Sequence, residues 1–543
     1  MKKTLKQSFV LAAALLMVLN ACEGEGDALI NERLEENPLP TATSYDAGTA
    51  DFSKVVTIGN SLTAGYMDGA LYNLSQQYSI GNLLAQNLGV TVGESFSFVQ
   101  PAINSEDGFN TSVTNPVGST VFGRFKLDTS IPGPSPTVDG DPIQPYTGPS
   151  VHNFGVPGIQ VAQLLTPLTG GPAAEANPAY NPFYARFAAN PGTSTILGEV
   201  VAANPTFFSL WIGNNDVLGY AASGASNPAI LTSDADFTTY YSTVITTLMS
   251  NTSADGIVTN IPFLLALPYF RAVTYDNVVL DEATATQLNA GLASVNAAIQ
   301  ATAALGTSAE DIAQRLISYK AGKNPILIHD DNLEDLGPKF DMLLGAGAIN
   351  AAQRAALTPY QQSRPMKGGV TIAPGVVDNE LVTLGAASVL GQLADPANPL
   401  SINGVVLPLA DSYAITAAEY LEIEVKRQTF NAIISNIVSQ PGVAERIAYY
   451  NTDTDVNGFL DIFGLSDGVP GITVDGVALA PDFSPNGVLS TDGVHPNPRG
   501  NAIVVNRMLD VIEAKFGSTL PRINALSLPT VTLCTTGDCL SEQ

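Results

Sequence analysis

Four side chains far apart in this chain could do chemistry together: a serine, an asparagine, and a histidine three residues after an aspartate. Ser61 stands in Gly59-Asn60-Ser61-Leu62, Asn215 in Gly213-Asn214-Asn215-Asp216, and the pair in Asp492-Gly493-Val494-His495-Pro496. These are the parts of an acyl-transfer site. A hydroxyl attacks, an imidazole takes its proton, a carboxylate orients the imidazole, and amide donors hold the oxyanion. The chain has only three histidines, so one beside an aspartate in this company carries weight. Taken alone, Ser61 has a second reading as the cap of a helix.

The elements that must position these residues are legible around them. Val55, Val56, Thr57 and Ile58 are all β-branched, as a buried strand requires. Gly59 breaks that strand, and Leu62, Leu71 and Leu74 suit a helix beyond. A serine at such a junction lies at the carboxyl edge of a sheet, beside the amide donors of a helix start. Phe207–Ile212 reads as a second buried strand leading into Gly213, and Ile257–Pro268 as a third leading into a loop. Arg446–Tyr450 reads as a further strand. Helices are expected at Gly81–Gly89, at Ala417–Gln440 and at Ala502–Phe516, with Gly517 as the stop. The spacing over Ala417–Gln440 puts Leu421, Ile423, Val425, Phe430, Ile433, Ile434 and Ile437 on an apolar face. Six prolines and three glycines between Ile131 and Ser150 argue against a regular element there. That stretch precedes Asn153-Phe154-Gly155-Val156-Pro157-Gly158 and is expected to overhang the site.

With these blocks in order, the chain resembles the SGNH, or GDSL, hydrolase family of esterases and lipases. Gly59-Asn60-Ser61-Leu62 is similar to the family's first block, with Asn60 where aspartate is usual. Asn153–Gly158 resembles the second, Gly213–Asp216 the third, and Asp492-x-x-His495 the last. The resemblance implies Ser61 as nucleophile, His495 as base and Asp492 as its partner. It implies an oxyanion hole from the amides of Ser61 and Gly158 and the Asn215 side chain. The implied fold is a three-layer α/β/α with a mostly parallel sheet, covering about 51–268 and 412–520. The α/β-hydrolase fold is disfavoured, because no Gly-x-Ser-x-Gly elbow is present. The implied activity is cleavage of carboxylic esters without metal or organic cofactor. Long-chain lipids, short acyl esters and acetylated sugars all remain open as substrates. The alternative is a surface lipoprotein that binds on this scaffold without catalysing.

The start of the chain reads as an address. Lys2, Lys3 and Lys6 precede an apolar run from Phe9 to Leu19, too short to span a bilayer and suited to a signal-peptide core. Leu19-Asn20-Ala21-Cys22 resembles a lipoprotein cleavage box. Residues 1–21 would then be removed and Cys22 lipidated, anchoring the protein to a bacterial membrane, in the first place the outer one. An ordinary secretory signal with an incidental cysteine is the other reading. Residues 22–50 are polar and read as a tether. The formal charge is −27, and loss of three lysines with the signal would make it about −30. That disfavours nucleic acid and anionic membrane surfaces as partners. Cys534 and Cys539 lie close together in the 521–543 tail, and in an exported protein they suggest a disulfide rather than two free thiols.

Asp216 and Asp492 are 276 positions apart, and residues 269–411 read as an insertion: a lid, a substrate wall, or a second packed layer. Part of it is helical by pattern, Glu282–Ala301 and then Asp311–Lys320 after the capping box Thr307-Ser308-Ala309-Glu310. His329, beside Asp330 and Asp331, has a rival reading as catalytic or metal-ligating, but no second histidine is near and a surface strand end fits better. His152 reads as structural, since His495 already has its aspartate. Asp453–Gly458 matches the first half of a calcium loop, yet its twelfth position is Gly464 and not glutamate, which leaves an Asx-rich turn as the simpler account.

Overall fold

The computed structural model describes residues 44–113, 120–130, 133–373, 376–398, 401–453, 462–464 and 469–540. The expected signal segment, Cys22 and most of the tether lie outside these residues, as does the Asp453–Gly458 turn apart from Asp453 itself. From Ala47 onward the chain forms one compact unit.

Its centre is a five-stranded sheet: β1 (Val55–Gly59), β2 (Asn153–Gly155), β3 (Phe207–Trp211), β4 (Asp255–Thr259) and β5 (Ile447–Tyr450). The order is β5-β4-β3-β1-β2, and every pairing is parallel. β1, β2 and β3 are buried along their whole length, which is why β1 and β3 read as largely apolar runs and not as alternating ones. Helices flank the sheet. α1 (Ser61–Ala64) and α2 (Ile80–Gly89) follow β1, and α3 (Asn215–Ala222) and α4 (Asp234–Asn251) follow β3. α5 (Ala417–Val438) and α6 (Pro498–Phe516) come late in the chain. α2 packs on α6, and α4 on α5, where Phe237 and Phe430 stack with ring centres 3.9 Å apart. The architecture is therefore α/β with a parallel central sheet, as expected.

Four local expectations need correction. No long helix follows Ser61. α1 ends after one turn at Gly65, which takes a left-handed conformation; Leu71 is buried in the following loop and Leu74 lies in the separate turn Asn73–Gln77. The Pro-rich stretch does contain a strand. Gly133–Pro136 pairs antiparallel with Phe125–Asp128, and a two-stranded ribbon leaves an outer edge where proline's missing donor costs nothing. On α5 the buried apolar positions are Tyr420, Ile423, Phe430, Ile434 and Val438, while Leu421 and Val425 face solvent. The middle helix is Ala309–Arg315 and not Asp311–Lys320, with Ser308 as its cap accepting from the Asp311 amide. By contrast Glu282–Ala301 is helical over the expected span.

Residues 273–414 gather a second cluster of buried apolar side chains, including Leu292, Ile299, Leu327, Phe340 and Leu409. Arg364 is buried among them with both its partners, Asp330 at 2.6 Å and Glu380 at 2.6 Å. Glu380 also accepts the Ala417 amide at the head of α5, so this cluster is tied directly to the helix that follows it. His329 ends a short strand, Leu327–His329.

One tight joint in the sheet is where β2 meets α1. A β-carbon on Gly155 would lie 2.3 Å from the Ala64 amide nitrogen and 2.6 Å from the Thr63 carbonyl carbon, and both are backbone. Gly155→Ala is therefore expected to cost on the order of 1–3 kcal/mol in urea unfolding. An unchanged midpoint would mean that α1 does not close on β2 in this way.

Candidate active site

The registers of three strands place the reactive groups along one edge. Gly59 of β1 is level with Gly155 of β2 and with Trp211 of β3. Ser61, Gly158 and Asn215 leave that line two, three and four residues later. All three emerge at the carboxyl edge of a parallel sheet, the usual place for a ligand in such a fold.

The cap of α1 is Asn60, whose side-chain oxygen accepts the Leu62 amide at 3.1 Å. Ser61 is thereby released from capping and becomes the first residue of the helix. Its own amide is one of the donors that a helix start leaves without an intrahelical partner. Its Oγ lies 2.8 Å from His495 Nε2, and His495 Nδ1 lies 2.8 Å from Asp492 Oδ2. The three groups sequence reasoning singled out are thus in one hydrogen-bonded row.

Protonation along that row follows from Asp492. Burial pushes its carboxyl up, but the adjacent His495, through charge and hydrogen bonding, and the amides of His495 and Val494 more than offset this and hold it at about 2. Those two amides both reach Oδ1 at 2.9 Å. An ionised carboxylate only accepts, so Nδ1 of His495 carries the proton. Nε2 then presents its lone pair, and the Ser61 hydroxyl donates to it. The imidazole is also fixed from the side by Tyr66, whose ring meets it edge-on at 5.2 Å.

The turn that carries His495 is braced by residues sequence reasoning passed over. Asp68 and Gly69 form a tight turn at positive φ, with Met67 and Ala70 bonded across it. Asp68 accepts from the Thr491 amide at 2.9 Å and the Thr491 hydroxyl at 2.6 Å, and from the Tyr72 hydroxyl at 2.6 Å. Its amide donates to Ser490 Oγ, and the Gly69 amide donates to Asp492 Oδ2 at 3.2 Å. The Asp-Gly dipeptide was a readable turn signal; its partners at 490–492 were not. On the other side, Tyr269 donates its amide to the Gly493 carbonyl. Gly493 has φ +73, and a β-carbon there would meet the Tyr269 nitrogen at 2.9 Å, so glycine is required twice over. Asn497 then caps α6 directly after the turn.

The expected oxyanion donors converge on the same edge. Gly158 has φ +79 and is exposed, with open space where a β-carbon would be. The Asn215 side-chain amide donates one hydrogen to the Ile159 carbonyl at 2.8 Å, next to Gly158, which leaves its other hydrogen for a ligand. Asp216, the following residue, accepts the Val161 amide at 3.0 Å and the Thr232 hydroxyl at 2.8 Å. It thereby holds the Gly158–Val161 loop against the start of α3.

A cavity of about 560 Å3, counting its open mouth, adjoins this row. Ser61, Asn215 and His495 line it, and Gly158 does not. No described residue of 269–411 is among its lining either. The other flagged residues lie apart. His152 bonds to Val99, its Nδ1 accepting that amide at 3.0 Å, and burial lowers its pKa, with Lys54 adding to the shift. Asp453 pairs with Arg427 at 2.8 Å. Among the described residues, Asp331, Asp411 and Glu419 could gather round a cation, but Glu419 is already engaged by the Thr416 amide and hydroxyl, and His329 is not part of the group. Cys534 and Cys539 form a disulfide. No family model, no curated protein and no solved structure matches the chain.

Asp216 offers a test of this edge. Burial raises its pKa to about 7, against the hydrogen bonds from Thr232 and Val161 that pull it down. The folded state therefore binds a proton that the unfolded chain, with an aspartate pKa of about 3.9, releases. Its contribution favours folding below about pH 4 and is lost as pH rises towards about 7. Asp411 and Glu419, also raised to about 7, act with the same sign. Asp216→Asn, whose amide can serve both partners, is expected to reduce the decline in unfolding free energy between those pH values. A decline equal to that of the unaltered protein would remove Asp216 from this role.

Proposed function

We propose that the protein is an exported serine esterase of the SGNH type, which cleaves carboxylic esters through an acyl-enzyme. The observation that carries this reading is the unbroken row Ser61–His495–Asp492, with both contacts at 2.8 Å. In this reading Ser61 Oγ attacks the ester carbonyl while Nε2 of His495 takes its proton. Asp492 holds the tautomer that makes this possible and stabilises the imidazolium. The carbonyl oxygen, now charged, accepts from the amides of Ser61 and Gly158 and from the free hydrogen of Asn215. Collapse of the tetrahedral intermediate releases the alcohol, which receives the proton from His495. Water, deprotonated by the same imidazole, then frees the acid and restores Ser61.

The domain reading goes with it: an SGNH hydrolase domain from 51–268 and 412–520, interrupted by 269–411. So does the address, a lipid on Cys22 that fixes the protein to a bacterial outer membrane. No helix among the described residues is long and apolar enough to cross a bilayer. Cys22→Ser is expected to move the protein from the membrane fraction to the soluble one. Retention with the membranes would point to an uncleaved segment or a protein partner.

The central test is Ser61→Ala. The variant should keep its fold by circular dichroism, lose labelling by a fluorophosphonate probe, and lose ester turnover by a factor on the order of 10⁶. Undiminished turnover in a folded variant would sink the assignment. A wild-type protein that neither labels nor hydrolyses any ester would favour the non-catalytic binder.

A further inference from the structure

The cavity beside Ser61 is unlike the polar row at its edge. Beyond Asn60, Ser61, Asn214, Asn215 and His495 the described lining residues are apolar, and no Asp, Glu, Lys or Arg is among them. Leu62 lies on α1 directly after the nucleophile. Leu218 lies on α3, three residues after Asn215 and so on the same helix face. Phe263, Leu264 and Leu267 come from the loop that follows β4, and Val494 from the turn that carries His495. Leu62, Leu218, Phe263 and Val494 are only half-buried, so the walls keep apolar surface in contact with water. A ligand that removes this water gains about fourfold in binding for each buried methylene. A sugar gains nothing there, because these walls offer its hydroxyls no partners and desolvating them costs free energy.

We infer that this cavity is an acyl site for an unbranched aliphatic chain longer than acetyl, so that fatty-acid esters and not acetylated sugars are the substrates. The inference rests on the esterase reading above. The chain belongs on the acyl side for a chemical reason. The acyl group stays bonded to Ser61 Oγ until water removes it, whereas the alcohol departs past His495 at the first step. Leu62 and Leu218, each on the helix that carries one of the two groups holding the carbonyl, Ser61 and Asn215, both line the cavity. The alcohol half leaves past the turn that carries His495 and Val494, so its contact with these walls ends at the first step.

The full-length protein should be assayed with p-nitrophenyl acetate, butyrate, hexanoate, octanoate and palmitate, alongside fluorophosphonate labelling of Ser61. The expected result is a rise in kcat/KM of about fourfold per methylene until the cavity is full, then a plateau or fall. Leu218→Trp should lower the octanoate-to-acetate ratio of kcat/KM by on the order of tenfold. Should that variant not fold, Phe263→Ala widens the same cavity without crowding and should shift the optimum to longer chains. Labelled Ser61 with acetate as the best substrate, or a ratio unmoved in a folded variant, would overturn the acyl site while leaving the esterase reading standing. A preference for acetates of long alkanols over fatty esters of short ones would overturn the acyl assignment specifically. Neither labelling nor hydrolysis of any ester would bring down the esterase reading, and the acyl site with it.

Discussion

The site depends on one buried carboxylate that takes no part in the proposed chemistry. Asp68 stands 423 positions before Thr491 in the chain, and two hydrogen bonds from Thr491 join them. Without that tie the loop after α1 and the turn before α6 would be separate surface features. With it, Gly69 reaches Asp492 and the imidazole is delivered to Ser61. The tie is worth more than its count of bonds, because Asp68 is desolvated and an unpaired buried carboxylate is costly. Each partner removed would leave the buried carboxyl worse served.

Much of this was legible beforehand. The runs Val55–Ile58 and Phe207–Ile212 announced buried strands because a strand covered on both faces has few polar positions to alternate with, while the parallel order came only with the family resemblance. The row of Ser61, His495 and Asp492 was readable because nucleophile, base and orienting acid are a recognisable set even when far apart in sequence. What escaped was set by contacts between distant segments. Nothing near Asp68 names Thr491 as its partner, and nothing near Ser61 says that Asn60 will cap the helix in its place. The exposed Leu421 and Val425 show the same limit: apolar periodicity marks a helix, but which side meets the core is decided by α4, and Phe237 stacks on Phe430. Pro134 and Pro136 argued against a strand that the proline-bearing side of a two-stranded ribbon could still hold.

Residues 273–414 gather a core of their own. Their contact with the site is made from behind: Tyr269, at the threshold of this region, bonds to Gly493, and a Leu384 methyl lies 3.3 Å from where a β-carbon on Gly493 would be. The region thus limits how far the histidine turn can retreat from Ser61. The tail acts similarly from another direction. Thr532 accepts from Arg124 at 3.0 Å, and Asp538 pairs with Lys126 at 3.0 Å, which clasps the tail to the Phe125–Pro136 ribbon. Phe125 in turn donates its amide to the Asp68 carbonyl.

The wide separation of β1 from the turn at 490–495 has a consequence in time. A ribosome that has finished Ser61 has more than four hundred residues still to add before His495 exists. Over that interval the serine is an ordinary alcohol, and Asp68 lacks the donors that Thr491 will bring. β5 also arrives late, so the sheet gains its far edge strand only shortly before His495 is made. Folds that rely on such remote pairings form slowly. On the esterase reading the order of synthesis acts as a safety catch: a chain ending anywhere between Ser61 and Asp492 carries the proposed nucleophile without the base it needs.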